Sequence, residues 1–176
     1  LLQGTGHGRD AAAAWASLYR QTGSLDALNQ ATYLMLDGGR GDEARLLLEQ
    51  AYDRHQGRLP APLLQRLAGL YSQADTALDS RRVSGLIPRI DAASRSLLLA
   101  RLAESGQCEA VHAAIPDKPV EPGQLRALGR CAMPDRPGEA VVYYQAAQRL
   151  GDRGSRLPLA YALEAAGGSA GAPRLF

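Results

Sequence analysis

Leu34-Met35-Leu36-Asp37-Gly38-Gly39-Arg40-Gly41-Asp42-Glu43-Ala44 decides the fold, because its pattern already stands 33 residues earlier, in Leu1-Leu2-Gln3-Gly4-Thr5-Gly6-His7-Gly8-Arg9-Asp10-Ala11. Leu1 falls on Leu34, Gly6 on Gly39, Gly8 on Gly41 and Ala11 on Ala44. A second step of 33 reaches Ala77, inside Ala74-Asp75-Thr76-Ala77, and a third reaches Ala110, inside Gly106-Gln107-Cys108-Glu109-Ala110. A last step of 30 reaches Ala140, inside Pro137-Gly138-Glu139-Ala140. Five copies of a turn, an acidic or polar residue and an alanine make an internal repeat, which sets the architecture before any single motif is weighed.

The flanks of each turn carry helical periodicity. Leu28, Ala31, Thr32 and Met35 recur at i, i+3, i+4 and i+7 before the second turn, and Ala44, Leu47, Leu48 and Ala51 follow it. The next first helix opens at Pro60 to Pro62, where proline suits the first turn, and carries Leu64, Leu67, Ala68 and Tyr71. Another opens at Asp91, an N-cap residue type, and runs through Leu98, Leu99, Leu102 and Ala103. After the Pro116 to Pro122 loop come Leu125, Leu128 and Cys131, then Ala140, Tyr144 and Ala147. Helices are expected to begin at about residues 10, 24, 42, 61, 76, 91, 107, 122, 137 and 155.

Period and pattern together resemble the tetratricopeptide family over residues 1–166. In that family small residues sit where the two helices of a pair cross, with a larger residue four positions after the second helix's alanine. The equivalents are Ala11 to Trp15, Ala44 to Leu48 and Ala140 to Tyr144, followed three further on by Leu18, Ala51 and Ala147. The pattern degrades at Ala77 to Arg81 and at Ala110 to Ala114. The resemblance implies an all-α fold, an α-solenoid of antiparallel helix pairs wound as a right-handed superhelix. Residues 10–22 read as a second helix without its partner, and 155–166 as a first helix followed by a loop or truncated repeat over 167–176. With no initiator Met and no capping repeat, the chain is expected to be part of a longer array.

Composition agrees with closely packed helices. Aromatics make up only 5% of a chain that is 45% hydrophobic, so Leu and Ala must build the core. The net charge of +2 selects no class of partner, and no nucleic-acid partner is expected. Of 20 basic residues only Lys118 is lysine, an arginine bias shared with Ala, Gly and Pro and expected of a GC-rich genome. No long apolar window spans a membrane.

Catalytic and cofactor motifs fail on inspection. Gly4-Thr5-Gly6-His7-Gly8 has no preceding strand and no Lys-Ser/Thr, so it reads as a helix-to-helix turn rather than a phosphate loop. Arg40-Gly41-Asp42 is the turn and first acid of a helix, where a carboxylate meets the positive end of the dipole. His7, His55 and His112 share no metal-binding spacing, and His112 with Cys108 or Cys131 makes no supported nucleophile–base pair. No metal, no cofactor and no enzymatic activity are expected.

The repeat register brings the cysteines together. Cys108 starts one second helix and Cys131 ends the next first helix, so antiparallel neighbours place both at one level. A disulfide there needs Cα atoms within roughly 7 Å and would stabilise by about 3 kcal/mol in the chain-entropy model. Two buried free thiols are the alternative. A disulfide would point to an oxidising compartment.

Helical repeats bind with the concave face lined by first helices, here through Asn29, Tyr33, Arg66, Arg95 and Arg126. The three arginines would form a positive stripe for a carboxylate tail or acidic polymer, unless they are solvated surface residues. A narrower resemblance rests on Gly129-Arg130-Cys131 and on Pro137-Gly138-Glu139-Ala140-Val141-Val142-Tyr143-Tyr144-Gln145-Ala146-Ala147. It is similar to the periplasmic repeats of NfrA-type outer-membrane proteins, linked to phage adsorption and exopolysaccharide export. That implies a periplasmic scaffold, tethered to the outer membrane in the whole protein, contacting a protein partner or a polysaccharide. A cytosolic adaptor gripping a peptide tail, or the helical domain of a cell-wall lytic enzyme, are the competing readings.

Overall fold

Ten helices account for most of residues 6–73 and 78–170, which the computed structural model of the chain describes, with side chains to residue 167. They are α1 (His7–Thr22), α2 (Leu25–Asp37), α3 (Gly41–Arg54), α4 (Ala61–Gln73) and α5 (Ser80–Leu86). There follow α6 (Ala92–Glu104), α7 (Cys108–Ala114), α8 (Pro122–Ala132), α9 (Pro137–Arg149) and α10 (Arg156–Ala170). No strand occurs among the described residues, so the chain is all-α. No helix among them is long and apolar enough to cross a membrane. The chain divides into two compact units, residues 1–73 and 74–176.

In the first unit each helix packs on its neighbour in sequence, α1 on α2, α2 on α3 and α3 on α4. Leu28, Leu47, Leu48, Leu64 and Leu67 lose essentially all contact with water. The boundaries follow local chemistry. Ser24 caps α2 by accepting from the Ala27 amide at 3.3 Å, and Gly39 takes the left-handed conformation (φ +73°) that ends it. The end of α3 fixes the end of α1. Arg54 Nη1 donates to the carbonyls of Tyr19 (3.1 Å) and Arg20 (3.2 Å), its guanidinium lies over the Tyr19 ring, and His55 Nε2 stands 3.0 Å from the Tyr19 hydroxyl.

Two expectations change in α1. The helix starts at His7, so that histidine opens a helix instead of lying in a turn. Its buried residues are Ala12, Ala16 and Tyr19, whereas Trp15 and Leu18 are 38% and 40% exposed. The burial phase is therefore one residue later than the Ala11–Trp15–Leu18 register. The glycine turns align at 33 residues, but the face of α1 is set by how Tyr19 docks under Arg54 and His55.

In the second unit α6 packs against α7 and α8, α8 against α9, and α9 against α10, while α5 lies on α7. Asp91 caps α6 through the Ser94 amide at 2.8 Å. The α5 helix is short because Gly85 weakens its last turn and Pro88 follows closely, and the chain continues as a 3₁₀ turn over Ile87–Arg89. The segment Ala74–Ala77, where the third copy of the turn falls, lies outside the described residues. At the other end α10 runs to Ala170 rather than stopping at residue 166. Gly167 and Gly168 cost the helix only about 1 kcal/mol each, which the Ala- and Leu-rich run before them offsets. Residues 171–176 lie outside the described residues.

Cys108 and Cys131 are joined by a disulfide, with Cα atoms 5.6 Å apart. The bond ties the first residue of α7 to the last turn of α8, and of the two expectations it is the disulfide, not the free thiols, that occurs.

Candidate functional site

Small residues on α6 and α8 leave room for a groove in the second unit. Ala100 and Ala103 of α6 and Ala127 of α8 line it, and their short side chains take up little of its space. Leu157 and Tyr161, one turn apart on α10, form the far wall and stay 63% and 59% exposed. Met133 and Pro134 close one end. The groove holds about 690 Å³, within the range of small-ligand and peptide sites. Most of its lining comes from α6, α8 and α10, with Cys108 of α7 and Tyr144 of α9.

Four polar side chains enter this apolar lining, in different electrostatic states. Arg126 is already committed, its Nη2 donating to Ser96 Oγ at 3.3 Å and its Nε standing 3.1 Å from Asp152 Oδ2. Asp152 in turn accepts from the buried Ser155 hydroxyl, so Arg126 braces α6 and α8 against the start of α10. Arg130 is exposed and has no ion pair among the described residues. Tyr144 comes from α9, and its ring crosses α8 at Gly129, where an added Cβ would stand 2.7 Å from Cζ. Its hydroxyl has no hydrogen-bond partner among the described residues, although the side chain is only 4% exposed. Burial pushes the phenol pKa up, and the neighbouring Arg130 charge pulls it partly back. Glu104 lies on the α6 side of the same groove.

The sequence-derived binding residues fall in both units. Asn29, Tyr33 and Arg66 belong to the first, where Tyr33 is 56% exposed. Arg66 Nη1 reaches from α4 to α2, donating to the Asn29 carbonyl (3.2 Å), Asn29 Oδ1 (2.9 Å) and Thr32 Oγ1 (2.7 Å). All three acceptors are neutral, and burial holds the Arg66 pKa below its ordinary value. Arg95 and Arg126 belong to the second unit. Arg95 grips Glu121 with Nε and Nη2 and donates from Nη1 to the Ile90 carbonyl at 2.6 Å. The Glu121 hydrogen bond is the main reason its pKa rises. Each arginine is thus engaged within the chain, and only Arg126 lines the groove.

Tyr144, Arg130, Leu157 and Tyr161 were not singled out by the sequence as binding residues. Tyr144 reads there as a core residue at a helix crossing, which it also is. The available signal was Gly129, a glycine inside a helix, which marks a close approach by another group.

No family model, curated protein or solved structure matches the chain.

Proposed function

We propose that the chain is a non-catalytic binding scaffold, a tetratricopeptide-like stack of helix pairs wound as a right-handed superhelix, whose first-helix face holds a polypeptide partner. The groove across α6, α8 and α10 carries this reading. Its lining is mainly apolar with a few polar groups, which suits an extended protein segment better than a neutral sugar bearing a hydroxyl on most carbons. The residues converging there include no nucleophile–base pair, so the groove offers recognition rather than turnover.

The Cys108–Cys131 disulfide supports action in an oxidising compartment. We take that compartment to be the periplasm, with the chain serving an outer-membrane export or phage-receptor protein. This narrower assignment rests on the likeness of residues 129–147 to NfrA-type repeats and on the disulfide.

Selection of a displayed peptide library against the oxidised protein tests the scaffold reading. Enriched peptides should lose binding when Leu157→Glu or Tyr161→Glu places charge on the exposed wall, where neither change disturbs a buried side chain. Peptides that bind those variants as well as the parent would place recognition elsewhere and sink the groove.

A further inference from the structure

A hydroxyl that opens on a groove from an otherwise buried side chain, with no partner among the described residues, is placed to meet a ligand. Tyr144 presents such a group at the groove, being 4% exposed and among its lining residues. A phenylalanine would fill the same space over Gly129 but offer no donor to the groove. The hydroxyl is neutral at physiological pH, since burial raises its pKa, so it can donate one hydrogen bond. Beside it stands Arg130, a guanidinium with up to five N–H donors and no ion pair among the described residues. Both groups are donors at neutral pH, and together they ask for an acceptor that carries negative charge.

We infer that the Tyr144 hydroxyl and Arg130 anchor a single carboxylate, the side chain of an Asp or Glu in an extended and otherwise apolar polypeptide segment lying along the groove. The inference rests on the polypeptide-binding reading of that groove and specifies its chemistry. Three observations choose this ligand. Ala100, Ala103, Ala127 and Met133 leave an apolar floor for side chains flanking the acid. Arg126, the other cation of the groove, is already matched by Asp152, so one positive charge is left over rather than two. Glu104 lies on the same groove and opposes a second negative charge, which disfavours a phosphate carrying about −1.5 to −2 and leaves a monoanion acceptable. The same glutamate can accept backbone N–H groups from the segment.

The geometry also explains why the anchor sits on a disulfide-braced turn. Arg130 immediately precedes Cys131, and Cys108 lines the groove. The covalent bond therefore holds the α8 end that carries the guanidinium against the start of α7.

Binding of labelled synthetic peptides decides the matter. One set consists of short peptides of Leu, Ala, Pro and Phe carrying a single Glu at successive positions, and the other has Gln in place of Glu. At the preferred position the Glu peptide should bind about tenfold more tightly than its Gln counterpart, as expected for charge-assisted hydrogen bonds. Arg130→Gln should erase that preference and Tyr144→Phe should reduce it severalfold. Either variant should weaken the Gln peptides much less than the Glu peptides, because a neutral amide oxygen gives up only ordinary hydrogen bonds. Equal binding of Glu and Gln peptides, still blocked by Tyr161→Glu, would remove the anchor while leaving the groove as a peptide site. A Glu preference that survives both variants would also overturn it. Failure of every peptide in both sets would refute the groove reading itself, and the anchor with it.

Discussion

Gly129 and Gly69 both interrupt helices, yet their surroundings are opposite. An added Cβ at Gly129 would press on the Tyr144 ring at 2.7–3.0 Å, whereas one at Gly69 meets nothing within 4 Å. Gly129→Ala is therefore expected to destabilise the protein by about 1–3 kcal/mol through overpacking, since Tyr144 is buried and cannot swing aside. Gly69→Ala should instead stabilise by up to about 1 kcal/mol, the helix-propensity difference. Urea unfolding of the two variants against the parent checks both signs. If Gly129→Ala were neutral, the close passage of Tyr144 over α8 that positions its hydroxyl would be wrong. The same residue-scale contrast separates the arginines, whose roles depend on which acid lies nearby rather than on their common chemistry.

At the scale of elements, α7 is the weakest piece of the second unit. It has seven residues and buries only Val111, and so short a helix does not persist by its own hydrogen bonds. Its ties are the Cys108–Cys131 bond and the Gln107 side chain, which donates to the Leu78 carbonyl at 3.2 Å. Reduction should lower the melting temperature by several degrees, as a loss of about 3 kcal/mol implies. Hydrogen exchange should quicken in α7 and the last turn of α8 before it does in α6. Two free thiols in protein never exposed to reductant would contradict the bond and remove the main support for an oxidising compartment. The start of α8 is held differently. Arg95 clasps Glu121 at its N-cap, and the Gln124 side chain accepts from the Glu121 amide at 3.2 Å. Arg95→Ala should cost about 1 kcal/mol, discounted because both side chains remain partly exposed, and a double-mutant cycle with Glu121→Gln should recover most of that as coupling.

Across the whole molecule, alkaline pH offers a clean readout because Lys118 is the chain's single lysine. The titrating groups that matter near pH 10 are then mostly tyrosines. Tyr19 and Tyr144 both have folded pKa values raised above 10.0, mainly by burial. The unfolded chain deprotonates first, so these tyrosines' contribution is fully present below pH 10 and is lost as pH rises through 10 toward the folded values. Stability measured by denaturant should fall above pH 10, and Tyr19→Phe with Tyr144→Phe should flatten that fall. An unchanged slope would mean that the two phenols are not sequestered from water.

The sequence by itself determined the class and most of the boundaries. Eight of the ten helices begin within one residue of their expected starts, because caps, prolines and glycine turns are local devices that act within a few residues. It also brought the two cysteines to one level, as a helix start and a neighbouring helix end, while leaving free thiols open; the bond itself is seen only in the structure. Tertiary structure alone decided the phase of α1, where Tyr19 beneath Arg54 overrides the repeat spacing, and the length of α10. It alone decided the site. Whether an arginine is spent depends on acids 26 residues away, as with Arg95 and Glu121, or in another turn, as with Arg126 and Asp152. Periodicity can mark Tyr144 as buried, but only packing across Gly129 carries its hydroxyl through to the groove, because that placement depends on atoms from three different helices.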